Sequence, residues 1–179
     1  IVVNLEDPRK IEFGNLQGLS YSNALQTDIN FSPFEHIEVK LAYKYYEVKS
    51  TYSGKLLDKP LVPKNRALIN VDYLSRSEKW RVNFNAKWFG KSRLPNTNGN
   101  PVEFKLPTQS SPYFTFMAQV TKRFRLFEFY IGGENLLNYK IPNPIIDAAD
   151  PFGTNFDASL IWGPISGRMI YTGFRYKII

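Results

Sequence analysis

The sequence predicts an all-β fold: about eight antiparallel transmembrane β-barrel strands, with short turns on one rim and long loops on the other. Three observations carry that expectation. Apolar and polar residues alternate with a period of two along segment after segment, and helical periodicity is nearly absent. From the third segment onward the connections alternate strictly between short and long. Aromatic residues make up 16% of the chain, which suits strands better than helices.

The first segment is an incomplete strand, Ile1 to Leu5, followed by the turn Glu6-Asp7-Pro8-Arg9. A long second segment runs from about Lys10 to Phe31 and bulges or breaks near Gly18. The third is about Glu35 to Lys49, the fourth Arg66 to Ser75, and the fifth Lys79 to Lys91. The sixth covers Tyr113 to Phe124, the seventh Phe127 to Asn135 and the last Arg168 to Ile178. Short turns read as "SPFE", "RSEK" and "FRLF", whereas Thr51 to Pro63, Ser92 to Pro112 and Tyr139 to Gly167 are long and rich in Pro, Gly and Asn. Greek-key sandwiches mix their connection lengths. Short turns on one rim and long loops on the other are the pattern of an outer-membrane barrel.

Each segment has an apolar set on one side, and none of these sets contains a charge. These sets are Leu25/Thr27/Ile29/Phe31, Ile37/Val39/Leu41/Tyr43/Tyr45, Ala67/Ile69/Val71/Tyr73 and Trp80/Val82/Phe84/Ala86/Trp88. They continue in Phe114/Phe116/Ala118/Val120, Phe127/Phe129/Ile131 and Ile170/Thr172/Phe174/Tyr176/Ile178. The opposite side holds Asp28, Glu38, Lys40, Lys44, Asp72, Arg81, Lys87, Glu128, Arg175 and Lys177. Segregation defines the faces without naming the medium, because a sandwich core excludes charge as well. The spacing of Trp80 and Trp88 leans toward lipid. Eight residues at ~3.3 Å per residue, tilted by ~40°, give ~20 Å of height, which would set the two indoles near the two interfaces of an apolar band ~25 Å tall.

The rest of the composition bounds the chemistry. With 23 basic and 16 acidic residues the net charge is +7, so nucleic acid, lipid headgroups and lipopolysaccharide all fit by sign. There is no cysteine, which removes disulfides and thiolate metal sites. No run of ~18 apolar residues is present to form a transmembrane helix. A slightly negative mean hydropathy is compatible with a membrane barrel, whose alternating strands average out. His36 is the single histidine and reads as a turn residue rather than a zinc ligand. No phosphate-binding glycine loop, HExxH motif or nucleophile elbow occurs, so no enzymatic activity and no cofactor are expected. The last long loop gathers Asp147, Asp150, Asp157, Phe152, Phe156 and Trp162, with Glu134 nearby. Asp before Pro and near Gly is turn chemistry, and aromatics in a loop pack together or meet a ligand. Asp150, Phe152, Asp157 and Trp162 are the candidate ligand-loop residues. On the polar side, mixed charges with Asn30, Asn70, Asn83, Asn85, Gln119, Thr115 and Thr121 suit either a wetted wall or a wall packed on a folded plug.

The last third carries a resemblance. "GGENLLNYK", Gly132 to Lys140, and "WGPISGRMIYTGFRYKI", Trp162 to Ile178, resemble the penultimate strand, final loop and closing strand of TonB-dependent outer-membrane receptors, especially the Bacteroidetes type. Upstream, Lys59 to Tyr73 fits a loop leading into a barrel strand, and Ala24 and Gln26 replace the family's usual Gly-x-Glu residues. The family's terminal aromatic is replaced by Ile178-Ile179. The resemblance implies a barrel of roughly 22 strands around an N-terminal plug, in the outer membrane of a Gram-negative cell. It also implies import of a scarce ligand (a siderophore, cofactor or oligosaccharide) driven through TonB. On that reading residues 1–179 are a C-terminal part of the barrel, without plug or TonB box. Their partners would be the remaining barrel, its plug, the TonB complex through the absent N-terminal region, and outer-membrane lipid.

Lys49, Lys55, Lys59, Lys64, Lys91, Arg93 and Lys105 on the long-loop side suggest contact with lipopolysaccharide phosphates. The competing reading is a soluble all-β module for carbohydrate or single-stranded nucleic acid. A nucleic-acid platform interleaves stacking aromatics with Lys and Arg on one face. In this chain they lie mostly on opposite faces, so nucleic acid is not an expected partner.

Overall fold

A computed structural model describes residues 2–3, 11–12 and 15–178. Strand β1 (Val2–Val3) pairs antiparallel with β2 (Ile11–Glu12). The other residues of the expected first strand, the turn at 6–9 and the start of the second segment at Lys10 lie outside the described residues. The long second segment does break near Gly18. That residue has φ +128, and Thr51 occupies the space a Cβ there would need. The Thr51 hydroxyl accepts from the Leu19 amide at 2.9 Å and donates to the Leu19 carbonyl at 3.0 Å. Only glycine fits both the conformation and the approach.

Beyond the break, the strands are β3 (Ser20–Phe34), β4 (Ile37–Tyr52), β5 (Lys55–Asp58), β6 (Asn65–Leu74), β7 (Trp80–Phe89), β8 (Tyr113–Arg123), β9 (Phe127–Glu134) and β10 (Met169–Tyr176). They form one 8-stranded antiparallel sheet in the order β10-β9-β8-β7-β6-β4-β3, with β5 paired to β4. Apart from β5, each strand pairs with its sequence neighbour, so the sheet is a meander. With the β5 excursion counted as part of the β4–β6 connection, short and long connections alternate from β3 to β10.

One expectation needs correction. Thr51 to Pro63 is not a plain loop. Strand β4 continues to Tyr52, turns through Ser53 (φ 47) and Gly54 (φ 77), and returns as β5. Two consecutive positive φ values make the mirror-image turn that matches strand twist. The cue was the Ser-Gly pair between Tyr52 and Lys55. Strand β4 therefore rises well past its pairing with β6, which ends at Tyr45↔Asn65.

Register fixes the faces. The row Ile37–Tyr73–Val82–Val120–Ile131–Thr172 crosses six strands on the apolar side. A slip of one residue would turn every side chain in a strand to the opposite face. The apolar side is not a protein core. Leu25 is 65% exposed, Ile29 53%, Phe129 47% and Phe174 74%. A soluble sandwich covers that face with a second sheet, and among the described residues no second layer does so. The buried apolar side chains are elsewhere: Tyr52, Leu94, Ile141, Ile146 and Leu160. All five lie on the long-loop side, where the loops pack on each other.

Candidate functional site

The polar face carries three clusters of hydrogen bonds and ion pairs. Arg81 Nε donates to both Asp72 carboxylate oxygens at 2.9 and 3.0 Å, and Asn83 donates to Asp72 Oδ2 at 3.0 Å. Asn85 and Asn70 then donate to Asn83 Oδ1. Toward β10, Arg123 bonds Glu128 at 2.7 Å, and Arg175 approaches the same carboxylate at 3.5 Å while lying 5.4 Å from the Tyr130 ring. Toward β3, Lys40 meets Asp28 at 3.8 Å, Gln26 donates to Asp28, and Lys44 lies 5.1 Å from the Tyr46 ring. Glu38 pairs across the ladder with Asp72, and Lys87 follows the same alternation. Nine of the ten charged positions expected on one side therefore share it by register, and Lys177 lies just past the end of β10. Many of these groups are half exposed, so each pair contributes little to stability alone. The Asp72 and Glu128 clusters line an open trough of about 390 Å³, together with Gln119 and Glu134.

Glycines shape part of that wall. Gly132 stands opposite Tyr171, and Gly173 opposite Tyr130. Each tyrosine lies over the glycine facing it, so a Cβ at either glycine would overlap the ring. With no side chain at Gly132, Tyr171 crosses it and donates its hydroxyl to Gln119 Oε1 at 3.1 Å. The result is a flat stretch of wall. The alternation pattern does not signal it, because it depends on cross-strand register.

The loop 135–168 is closed at its neck by the motif that carried the resemblance. Asn135, buried and at φ 49, donates through Nδ2 to the carbonyls of Tyr139 (2.7 Å) and Ser166 (3.0 Å). Its Oδ1 accepts from the Tyr139 amide at 3.0 Å. Asn138, at φ 56, accepts from the Arg168 amide at 3.0 Å, and Arg168 Nε donates to the Leu136 carbonyl. Both asparagines tolerate the left-handed conformation and bond locally. Above them an aromatic stack ties loop to sheet. Phe89 and Tyr113 stack at 4.9 Å, Tyr113 and Tyr139 at 5.2 Å, and Trp162 meets Tyr113 at 5.9 Å. Burial in this stack raises the Tyr139 phenol above its ordinary pKa.

The four candidate ligand-loop residues do not share one environment. Asp157 is buried; its Oδ1 accepts from the amide and hydroxyl of Ser159 at 2.8 and 2.7 Å, and its backbone pairs with Ile146. Trp162 belongs to the aromatic stack. Asp150 starts the turn in which its carbonyl accepts from the Gly153 amide, and Phe152 is wholly exposed at that tip. Among the seven basic residues of the long-loop side, Lys49 pairs with Glu47, and Lys64 with Asp58. Arg93 donates to the Asp58 carbonyl and covers the Tyr52 ring. Lys55, Lys59, Lys91 and Lys105 stay exposed.

On the apolar face the tyrosines and tryptophans gather toward its two ends, with Phe84 and Phe116 between them at 5.8 Å from each other. Tyr43, Tyr45, Trp88 and Phe114 stand toward the long loops, and Phe31, Tyr73, Trp80, Phe127 and Tyr176 toward the short turns. Past Tyr45 this side turns polar, with Glu47 and Lys49 paired at 3.0 Å.

No family model and no curated protein matches the chain. Solved structures do. The ferric-catecholate import receptor Fiu from Escherichia coli K12 superposes with a TM-score of 0.57 at 13% identity, over 83% of this chain and 20% of that one. The ferric enterobactin receptor PfeA from Pseudomonas aeruginosa gives 0.59 at 17%, over 87% and 22%. The copper transporter OprC gives 0.61 at 16%, over 87% and 23%. The fold is that of a barrel sector of TonB-dependent receptors. The sector spans about a fifth of the length of each receptor it matches.

Proposed function

We propose that the chain is a C-terminal barrel sector of an outer-membrane TonB-dependent receptor that imports a scarce small ligand, of the siderophore, cofactor or oligosaccharide kind. One observation carries this reading. A single sheet has an exposed apolar face with aromatics at both ends, backed by an ion-paired polar face. Water disfavours the first face, at roughly 25 cal/mol per Å² of apolar surface, and a bilayer accepts it. Trp80 and Trp88 then mark the two interfaces, and the charged residues of the polar face line the lumen and meet the plug.

Lys55, Lys59, Lys91 and Lys105 face lipopolysaccharide phosphates on this reading. Phe152 and Asp150 are the loop groups best exposed to a ligand, whereas Asp157 and Trp162 support the loop that presents them. The role is transport, with no covalent chemistry assigned to any residue. The TonB complex would act through parts of the receptor beyond this sector.

Fractionation of the cell of origin tests the proposal. The chain should appear only in the outer-membrane fraction, need detergent for extraction, and change gel mobility on boiling. Recovery as a water-soluble protein in periplasm or cytoplasm would overturn it.

A further inference from the structure

Lys122 breaks the charge pattern of the apolar face. By register it stands between Trp80 of β7 and Phe129 of β9, on the side that is otherwise uncharged from Tyr45 down to the short turns. The other charges on this side, Glu47 and Lys49, neutralise each other near the long loops. Among the described residues no carboxylate lies within ion-pair distance of Lys122. Its ammonium sits 4.0 Å from the centroid of the Trp80 ring and 6.0 Å from that of Phe124.

The adjoining turns add to the charge. Arg123 donates its backbone amide to the Lys79 carbonyl at 2.7 Å, which brings the 75–79 and 124–126 turns side by side. Arg76, Lys79 and Arg125 are exposed there against one carboxylate, Glu78.

We propose that Trp80, Phe124 and Lys122 form a binding site for the phosphate of an anionic phospholipid at the short-turn rim. The inference rests on the membrane reading of the apolar face. A cation on the lipid side of a barrel is tolerated near the interface and costly at the midplane. Lys122 therefore places the headgroup level at the height of the Trp80 ring, with its methylene stem along apolar surface and its ammonium in the headgroup layer. The indole holds the ammonium from one side by cation–π attraction. An anionic headgroup supplies the counter-charge that the protein does not, and the turn cations favour it further. A zwitterionic headgroup carries its own cation and gains less.

The test uses the whole receptor, purified in detergent, stripped of lipid and offered equal phosphatidylglycerol and phosphatidylcholine of matched acyl chains. Native mass spectrometry counts the retained lipids. Phosphatidylglycerol should be retained preferentially. Lys122→Met should lower its retention about five-fold, the equivalent of ~1 kcal/mol for one basic group at a membrane surface, and leave phosphatidylcholine unchanged. Lys122→Arg should keep the preference, and Lys79→Met, a rim cation off the aromatic platform, should lose little. Trp80→Leu removes the ring while keeping the charge, so it tests the site even if Lys122→Met fails to fold.

Equal losses from Lys79→Met and Lys122→Met would overturn the site in favour of diffuse rim charge. So would a heat-modifiable receptor with no preference between the two lipids. An unaltered protein with no heat-modifiable form and no retained lipid would instead overturn the membrane reading itself.

Discussion

Asn135 is one side chain holding three backbone groups, and its deletion should be felt at the neck of the loop 135–168. Its amide nitrogen bonds the carbonyls of Tyr139 and Ser166, and its oxygen takes the Tyr139 amide. Each buried bond is worth ~1 kcal/mol net, and an abandoned buried partner costs more. Alanine also resists the left-handed conformation seen at φ 49. Asn135→Ala should therefore destabilise the neck by ~2–3 kcal/mol. The barrel sheet should persist, because none of its ladder bonds are touched. Limited proteolysis of intact membranes reads the effect as faster cleavage within 136–166. Cleavage at the unaltered rate would mean that Asn138 and Arg168 hold the neck without it. Asn135→Asp is the sharper probe, since it keeps the shape but turns two donated bonds into oxygen–oxygen contacts.

At the scale of elements, the aromatic stack governs how the long loop meets the sheet. Trp162→Ala removes one of the rings around Tyr113 and leaves the Asn135 bonds in place. The expected outcome is several-fold faster proteolysis beyond Lys140 with an unchanged boiling-induced mobility shift. A lost mobility shift would mean that the loop supports the barrel as well as its own neck. The contrast between strands and loops also explains what could be read from the sequence. Strands β3 to β10 other than β5 were legible because one face is apolar and the other polar, and that division is written residue by residue in period two. The ends of β7 and β9 fell within two residues of expectation for the same reason. The hairpin of β4 and β5 was hidden because above the apolar band both faces are polar, so alternation carries no signal. The loop core of Leu94, Ile141, Ile146 and Leu160 has no period, and the Phe89–Tyr113–Tyr139–Trp162 stack joins residues far apart in sequence. The candidate ligand residues Asp150, Phe152, Asp157 and Trp162 all fall between β9 and β10, a stretch without strand periodicity in the sequence. The sequence could not separate Asp157 and Trp162, which are used internally, from Phe152, which is exposed.

At the scale of the whole molecule, both margins of the sheet matter. Among the described residues β3 pairs only with β4, and β10 only with β9. The outer margins of β3 and β10 therefore offer rows of backbone donors and acceptors, and such edges attract other strands. The apolar face adds a second reason for association, since Leu25, Ile29, Phe129 and Phe174 need a non-aqueous surround. Residues 1–179 produced alone should not give a monomer in water. They should aggregate without detergent, and in detergent should form higher-order species through the edges of β3 and β10. Light scattering coupled to size exclusion distinguishes the outcomes. Supplying the rest of the receptor barrel as a separate chain should convert those species to a single heat-modifiable complex, because pairing satisfies both edges at once. Complementation should depend on the β10 edge in particular. Proline at Thr172 or Phe174 removes one backbone donor from β10; both amides point away from the side on which the Lys177 amide bonds the Leu126 carbonyl, so either substitution should block assembly while leaving the β9–β10 hairpin formed. A stable, water-soluble monomer of residues 1–179 would show that this sheet closes on itself in some other way, and would defeat the barrel reading at its base.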